Sequence, residues 1–505
     1  MKKIILYTII AFIASVSFTA CNDTGPFSGI DDRDFYKTPE DIKAALVAAY
    51  NGLQQPLLYE WQMTELRSDN SKVRSLSSNT SSSRNYYQLD QAFVAPNHPT
   101  VYEYWRATYA NINRCNIVLQ HADVITNKVQ RERTKGEASF LRAYHYFNLV
   151  RLYGPVFEIT EPIDQAQAMK YQREPEDIIY KLIKDDLQLA IDSLPADYTN
   201  SSIDLGRATS VAAQGMMAKV HITLKEFNEA YKLLDDIVTT YQNSSIYGLE
   251  KEFADIFDVS NEMNKEILFA VRYKAGGYGV GSPFPNLFAP NNSGSNVVNG
   301  DGSDCNIPTE QLKGSYQTND KRIDATYALG YYNPSIISSS NPTGWVKNRS
   351  YCKKYMSEVV IKSDAENDWP VLRFADILLM YAETINELGN NTSAFQYVNM
   401  IKERAGLSGN QLAAPPMTRQ QFRTLIEQER RLEFAFENQR WFDLLRTGRA
   451  VEMMNTHYDE ETKEGNDDLY YAGLDYANME DYNILLPIPQ KEIDVNPSIS
   501  QNPGY

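Results

Sequence analysis

Two stretches of this sequence repeat one spacing, and that spacing limits the possible folds more than any other feature. Ala218 and Ala230 stand twelve residues apart and are followed by Leu234 and Ile237; Ala382 and Ala394 stand twelve apart and are followed by Val398 and Ile401. Small residues at such positions let consecutive helices approach closely, while the larger ones fill the groove to the next pair. Apolar residues at three-to-four spacing predict helices over 39–54, 101–123, 130–153, 175–193, 208–223, 227–241, 371–389, 392–405 and 418–446. Strand signals are few and short, as from Glu266 to Tyr273.

Helix pairs with this spacing fit the tetratricopeptide pattern, so the expected fold is mostly α, a helical superhelix. One region departs from it. Between residues 274 and 350 the composition turns to Gly, Asn, Ser, Pro and Tyr, a stretch too long and too polar for a simple connection. Irregular regions of this length usually carry function or mobility.

The start of the chain reads as an export signal. Lys2 and Lys3 precede an apolar run from Ile4 to Phe18, and Thr19-Ala20-Cys21 follows. That run is too short and wrongly flanked for a membrane span, and Cys21 stands where a lipoprotein signal is cut and acylated. Phe18 occupies a position where Leu is more usual. Each buried acyl methylene contributes about 0.8 kcal/mol to membrane attachment. Residues 1–20 are thus expected to be a signal peptide, 21–37 a polar tether behind a lipidated Cys21, and 38–505 one domain containing the loop-rich 274–350 insertion.

Composition is that of a soluble domain, 43% apolar and 23% charged. Loss of residues 1–20 removes two lysines and no acid, taking the formal charge from −16 to −18. Nucleic acid is a poor partner for such a balance. Cys115, Cys305 and Cys352 are widely spaced and form no CxxC pair, so neither a disulfide framework nor a zinc site follows. A single Cys305–Cys352 bridge and three unpaired thiols both remain open.

Four motifs make the chain specific: Gly136-Glu137-Ala138-Ser139-Phe140-Leu141-Arg142-Ala143-Tyr144 with Arg151-Leu152-Tyr153-Gly154-Pro155; Leu372 through Glu383; Glu429 through Phe434 with Arg440 through Arg446; and Pro487-Ile488-Pro489 through the closing Gln501-Asn502-Pro503-Gly504-Tyr505. Together, in order, these closely resemble the SusD/RagB family of outer-membrane nutrient-binding lipoproteins. The resemblance implies about four tetratricopeptide-like helix pairs with an irregular ligand region. It also implies a SusC-like TonB-dependent transporter as partner, and an oligosaccharide, or in some branches a peptide, as ligand. It places the protein at the outer membrane, lipid-anchored and facing outward, with neither catalytic chemistry nor a cofactor.

The residues agree with a binding role. Glu429, Glu433, Glu437 and Asp443 offer carboxylates for acid–base work, yet Arg430, Arg431 and Arg440 stand within pairing distance along a helix. Arg373, Asp376 and Glu383 read as structural in the same way. The five histidines have no metal-ligand spacing, the Gly276–Gly281 run lacks a phosphate-loop pattern, and Asp301 with Asp304 lacks the other ligands of a calcium loop. Sugars need flat aromatic platforms with polar edges. Trp105, Trp369 and Trp441 belong to helical motifs and are expected in the core, whereas Trp61 and Trp345 are freer. Glycan binders of the family use a polar residue in the segment resembling Ser68-Asp69-Asn70, the loop before the Trp105 helix, and aromatics of the insertion. The resemblance therefore implies Asp69 by motif, and Arg74, Phe93, Asn97, Tyr278 and Trp345 by region, as ligand residues. A peptide-binding member, a ligand-free helical scaffold and a lipid-anchored hydrolase are the competing readings.

Overall fold

The computed structural model describes residues 35–73, 81–407, 417–463 and 478–505. Residues 1–20, Cys21, most of the tether and Arg74 lie outside the described residues. The helices run α1 Pro39–Asn51, α2 Gln54–Thr64, α3 Ser81–Asp90, α4 Pro99–His121, α5 Lys128–Tyr153, α6 Glu176–Ser193, α7 Ser210–Thr223 and α8 Phe227–Tyr241. Strand β1, Ile267–Val271, leads into the insertion, which contains β2, Tyr327–Tyr332, and β3, Trp345–Cys352. Strand β4, Trp369–Arg373, returns the chain to α9 Phe374–Glu387, α10 Asn391–Arg404, α11 Arg419–Glu433, α12 Arg440–Thr447 and α13 Ala450–Lys463.

Each helix from α4 to α10 packs on its successor, and α8 packs on α9, which gives the stacked helical superhelix. Thr38, Thr209 and Thr418 cap α1, α7 and α11 by accepting backbone N–H groups that the first turn leaves unpaired. The repeated spacing does what its chemistry predicts: Ala218, Ala230, Ala382 and Ala394 are fully buried between the members of each pair, with Leu234, Ile237, Val398 and Ile401 packed beside them. Two boundaries differ from the periodicity. Residues 369–373, partly assigned to a helix by their apolar run, form β4, antiparallel to β1. Segment 418–446 is two helices broken over 434–439, where Phe436 and Asn438 adopt positive φ. Pairing across a hundred residues overrides local propensity in the first case, and buried ionic partners fix the backbone in the second.

The irregular region is nailed to the helices by aromatic packing. Trp369 on β4 stacks on Tyr355 with centroids 4.3 Å apart, and Phe284 lies 4.6 Å from the same indole. Phe288 joins Phe284 and reaches Trp61 at 5.5 Å. Trp105, Trp369 and Trp441 are core residues as expected; Trp61 is also fully buried, contrary to its expected freedom, because the insertion folds back over α2. Cys115, Cys305 and Cys352 are buried free thiols, so no Cys305–Cys352 bridge forms.

One buried carboxylate of this core is a titration probe. Glu60 on α2 accepts from the amides of Asn148 at 3.1 Å and Asn438 at 3.3 Å. Burial pushes its carboxyl up to about 7 against the pull of Arg151. The folded state therefore holds a proton that the unfolded chain releases near pH 4.3. Stability from this group is full below that pH and is lost as pH rises through about 7. Replacing Glu60 by Gln removes the dependence, so the stability difference between variant and native protein is expected to move in the variant's favour by about 1–3 kcal/mol from pH 4.5 to pH 8. Urea melts across that range check it, and a constant difference would refute it.

Candidate ligand-binding face

The exposed face of the insertion is built by the β2–β3 hairpin, antiparallel with Tyr332 opposite Trp345, Tyr331 opposite Val346 and Gly330 opposite Lys347. Alternation along the strands turns Tyr331 inward, where it is buried, and leaves Tyr332 and Trp345 outward at 52% and 40% exposure. Two glycines set the tilt of these rings. A Cβ on Gly330 would stand 3.1 Å from the Trp345 indole nitrogen and 2.1 Å from the Val346 carbonyl oxygen. At Gly344, with φ +61°, a Cβ would stand 3.0 Å from the Tyr332 ring and 2.9 Å from the Asn333 carbonyl oxygen. Each ring thus has an edge close against the bare backbone of a glycine, in space that a Cβ would take, and stays half-exposed. The turn is held by Asn341, whose amide donates to the Trp345 carbonyl at 3.2 Å, and by the Asn333 N–H donating to the Gly344 carbonyl at 2.8 Å.

The remaining expected residues are scattered. Tyr278 tips a short loop closed by the Lys274–Val280 bridge and is 75% exposed; Asp364 holds that loop by accepting the N–H groups of Gly276 and Gly277 at 2.9 and 2.8 Å. Phe93, 67% exposed, and Asn97, also exposed, sit in the α3–α4 connection, which is tied to the C-terminal segment through Asn483 and Gln490. Among the described residues no ring contact or hydrogen bond joins Phe93, Asn97, Tyr278 and Trp345 to one another. Asp69 is a correction: it is fully buried, and its two oxygens accept from Arg440 at 2.7 and 2.8 Å, with Arg431 at 3.1 Å. The side chain expected at the ligand is instead an internal counter-ion. Tyr332 escaped sequence reasoning, although Asn333-Pro334 and Asn341-Pro342, between runs rich in Tyr, Trp and Val, are the turn signals of a hairpin.

The carboxylates weighed for catalysis are buried and paired; Asp443 meets Arg430, one of the expected partners, whereas the three glutamates take others than helix spacing suggests. Glu429 and Glu433 meet Arg322 at 2.6 and 3.3 Å, Glu433 also meets Arg373 at 3.0 Å, and Glu437 meets Arg373 at 2.7 Å and Lys354 at 2.6 Å. Arg430 turns away to Asp376 and Asp443, at 2.6 and 2.8 Å. Asp301 accepts the backbone N–H groups of Gly294 and Gly302, both at 2.9 Å, and Asp304 meets Arg349 at 3.3 Å. Two clefts lie among the helices. One of about 240 Å³ is rimmed by the Arg423–Glu387 and Arg446–Glu383 pairs, and another of about 420 Å³ by the Arg207–Glu137 pair.

Known proteins share both the sequence and this architecture. Residues 323–505 match the family model described as the SusD family, and residues 30–222 match one described as starch-binding, associating with the outer membrane. SusD-like protein P25 of Formosa agariphila is 27% identical, over 100% of this chain and 99% of its own. SusD-like protein P2 of the same organism is 25% identical, over 100% of both. Among solved structures, a laminarin-binding SusD-like protein superposes with a TM-score of 0.75 at 24% identity, covering 93% of this chain and 100% of its own. Surface glycan-binding protein A of Bacteroides thetaiotaomicron, in complex with laminarihexaose, gives 0.74 at 23% identity over 92% and 99%. With its four motifs in order, its helical superhelix and these matches across both halves, the chain belongs to the SusD/RagB family.

Proposed function

We propose that this protein is a cell-surface lipoprotein that captures a glycan on the β2–β3 face and delivers it to a SusC-like TonB-dependent transporter. The observation that carries the reading is the pair of half-exposed rings, Tyr332 and Trp345, set opposite one another across the hairpin and each close against a glycine. A flat apolar surface held rigid before binding matches the C–H face of a sugar ring at little entropic cost. Its family supports the choice of ligand, through the starch-binding description and the glycan complexes of its structural neighbours. Tyr278, Phe93 and Asn97, exposed on other segments, are the further candidates for ligand contact. Attachment through Cys21 supplies the membrane contact, and no helix among the described residues is long and apolar enough to cross a bilayer. Binding requires no nucleophile, and the family's named members support a binding role over a catalytic one.

Trp345→Ala tests the assignment. Because the indole is outside the hydrophobic core, the variant is expected to melt like the native protein while losing about 1–3 kcal/mol of glycan affinity, the effect of truncating an aromatic anchor. Calorimetry with a polysaccharide found by screening, beside a melting curve, reads both. Unchanged affinity would move the site off the hairpin.

A further inference from the structure

The hairpin carries a charge pattern opposite to that of the protein. Asp and Glu number 65 in the chain, yet the 33 residues from Ala325 to Ser357 contain neither, while Lys347, Arg349, Lys353 and Lys354 all fall within them. Two of these cations are neutralised from outside the run, Lys354 by buried Glu437 at 2.6 Å and Arg349 by Asp304 at 3.3 Å. Lys353, half-buried, and Lys347 are the other two, and neither makes an ion pair among the described residues; Lys347 alone of the four is exposed. It follows Trp345 by two positions on β3, so both project from the same side of the hairpin. It also stands directly opposite Gly330, the glycine close against the indole. An ammonium with no ion pair among the described residues therefore borders the aromatic platform, in a molecule whose formal charge otherwise repels anions.

Resting on the glycan-binding reading above, we infer that the ligand of this face is an acidic polysaccharide, whose sugar ring stacks on Trp345 and Tyr332 while a carboxylate or sulfate ester meets Lys347. A neutral glycan gives Lys347 no counter-charge, whereas an anionic substituent accepts charge-assisted hydrogen bonds from its three N–H donors. The bare lysine then supplies selectivity, because long-range repulsion by the acidic body is overcome only where the local charge is positive.

The probes are oligosaccharides of alginate for the carboxylate, of carrageenan for the sulfate and of laminarin as the neutral control, with vesicles of anionic lipid as a further arm. Alginate or carrageenan is expected to bind more tightly than laminarin, and the one preferred identifies the anion. Lys347→Gln is expected to weaken that binding about fivefold, the scale of one exposed ion pair, with Lys347→Glu weakening it further and Lys347→Arg retaining most of it. High salt is expected to weaken the native protein and to leave Lys347→Gln little changed. Because Lys347 is exposed, all three variants are expected to keep the native melting temperature, which is measured alongside. Equal or tighter binding of laminarin, indifferent to salt and to Lys347→Gln, overturns the acidic class while leaving glycan capture standing. Binding of the vesicles alone, or of no glycan, overturns both.

Discussion

Arg373→Met is expected to cost about 3–5 kcal/mol of stability, the scale for removing one partner of a buried ionic network. At the β4–α9 junction Arg373 donates to Glu266 at 2.6 Å, to Glu433 at 3.0 Å and to Glu437 at 2.7 and 2.8 Å. The methionine fills the volume of the stem but leaves three buried carboxylates short of a cation. Arg404, Arg322 and Lys354 remain and share the deficit. Burial opposes ionisation of Glu433, and Arg404, Arg373 and Arg322 overcome it, holding its carboxyl below the usual range. A depressed carboxyl contributes stability above its unfolded pKa of about 4.3 and loses it as pH falls. The deficit of the variant is therefore expected to be full at neutral pH and to shrink in acid. Denaturant melts at neutral and acid pH measure it. A loss below about 1 kcal/mol would mean that the network is neutral to the fold.

Asp69→Asn is expected to cost a similar amount, about 3–5 kcal/mol, and to leave glycan affinity unchanged in the folded fraction. The carboxylate takes both arms of Arg440, and Arg431 besides, in a fully buried site. Asparagine keeps the shape but offers one acceptor oxygen, leaving Arg440 with Glu427 at 3.2 Å and Arg431 with the Asn70 side-chain oxygen at 2.9 Å. Weak surface pairs would not produce such a loss; desolvated ones do, because the unmatched charge has no water. Melting curves beside binding isotherms decide it. Reduced affinity with native melting would return Asp69 to the ligand.

Both predictions show where one-dimensional reading stops. The motifs around Asp69, Arg373 and Glu433 identify the family, and their chemistry invites either a site or a scaffold. Burial selects the scaffold, and burial is a property of the whole fold. Glu429, Glu433 and Arg430 are a helical turn or less apart, so local pairing was the economical expectation; in the folded chain Arg322, over a hundred positions away, reaches the glutamates, while Arg430 serves Asp376 and Asp443.

The class of fold is legible along the chain, because amphipathic periodicity and the alanine spacing of helix pairs are local and repeat with the 3.6-residue turn. The insertion is marked as well, since so long a run rich in Gly, Asn, Ser and Pro has no helical periodicity, although Phe284 and Phe288 within it reach the core. Which aromatics face water is settled by the folded chain alone. Trp61 and Trp345 look alike in sequence, yet one is sealed by Phe288 and the other lies close against Gly330 on an open hairpin. The reason is that exposure depends on what distant segments cover, and on strand register, which sets the face on which each side chain emerges.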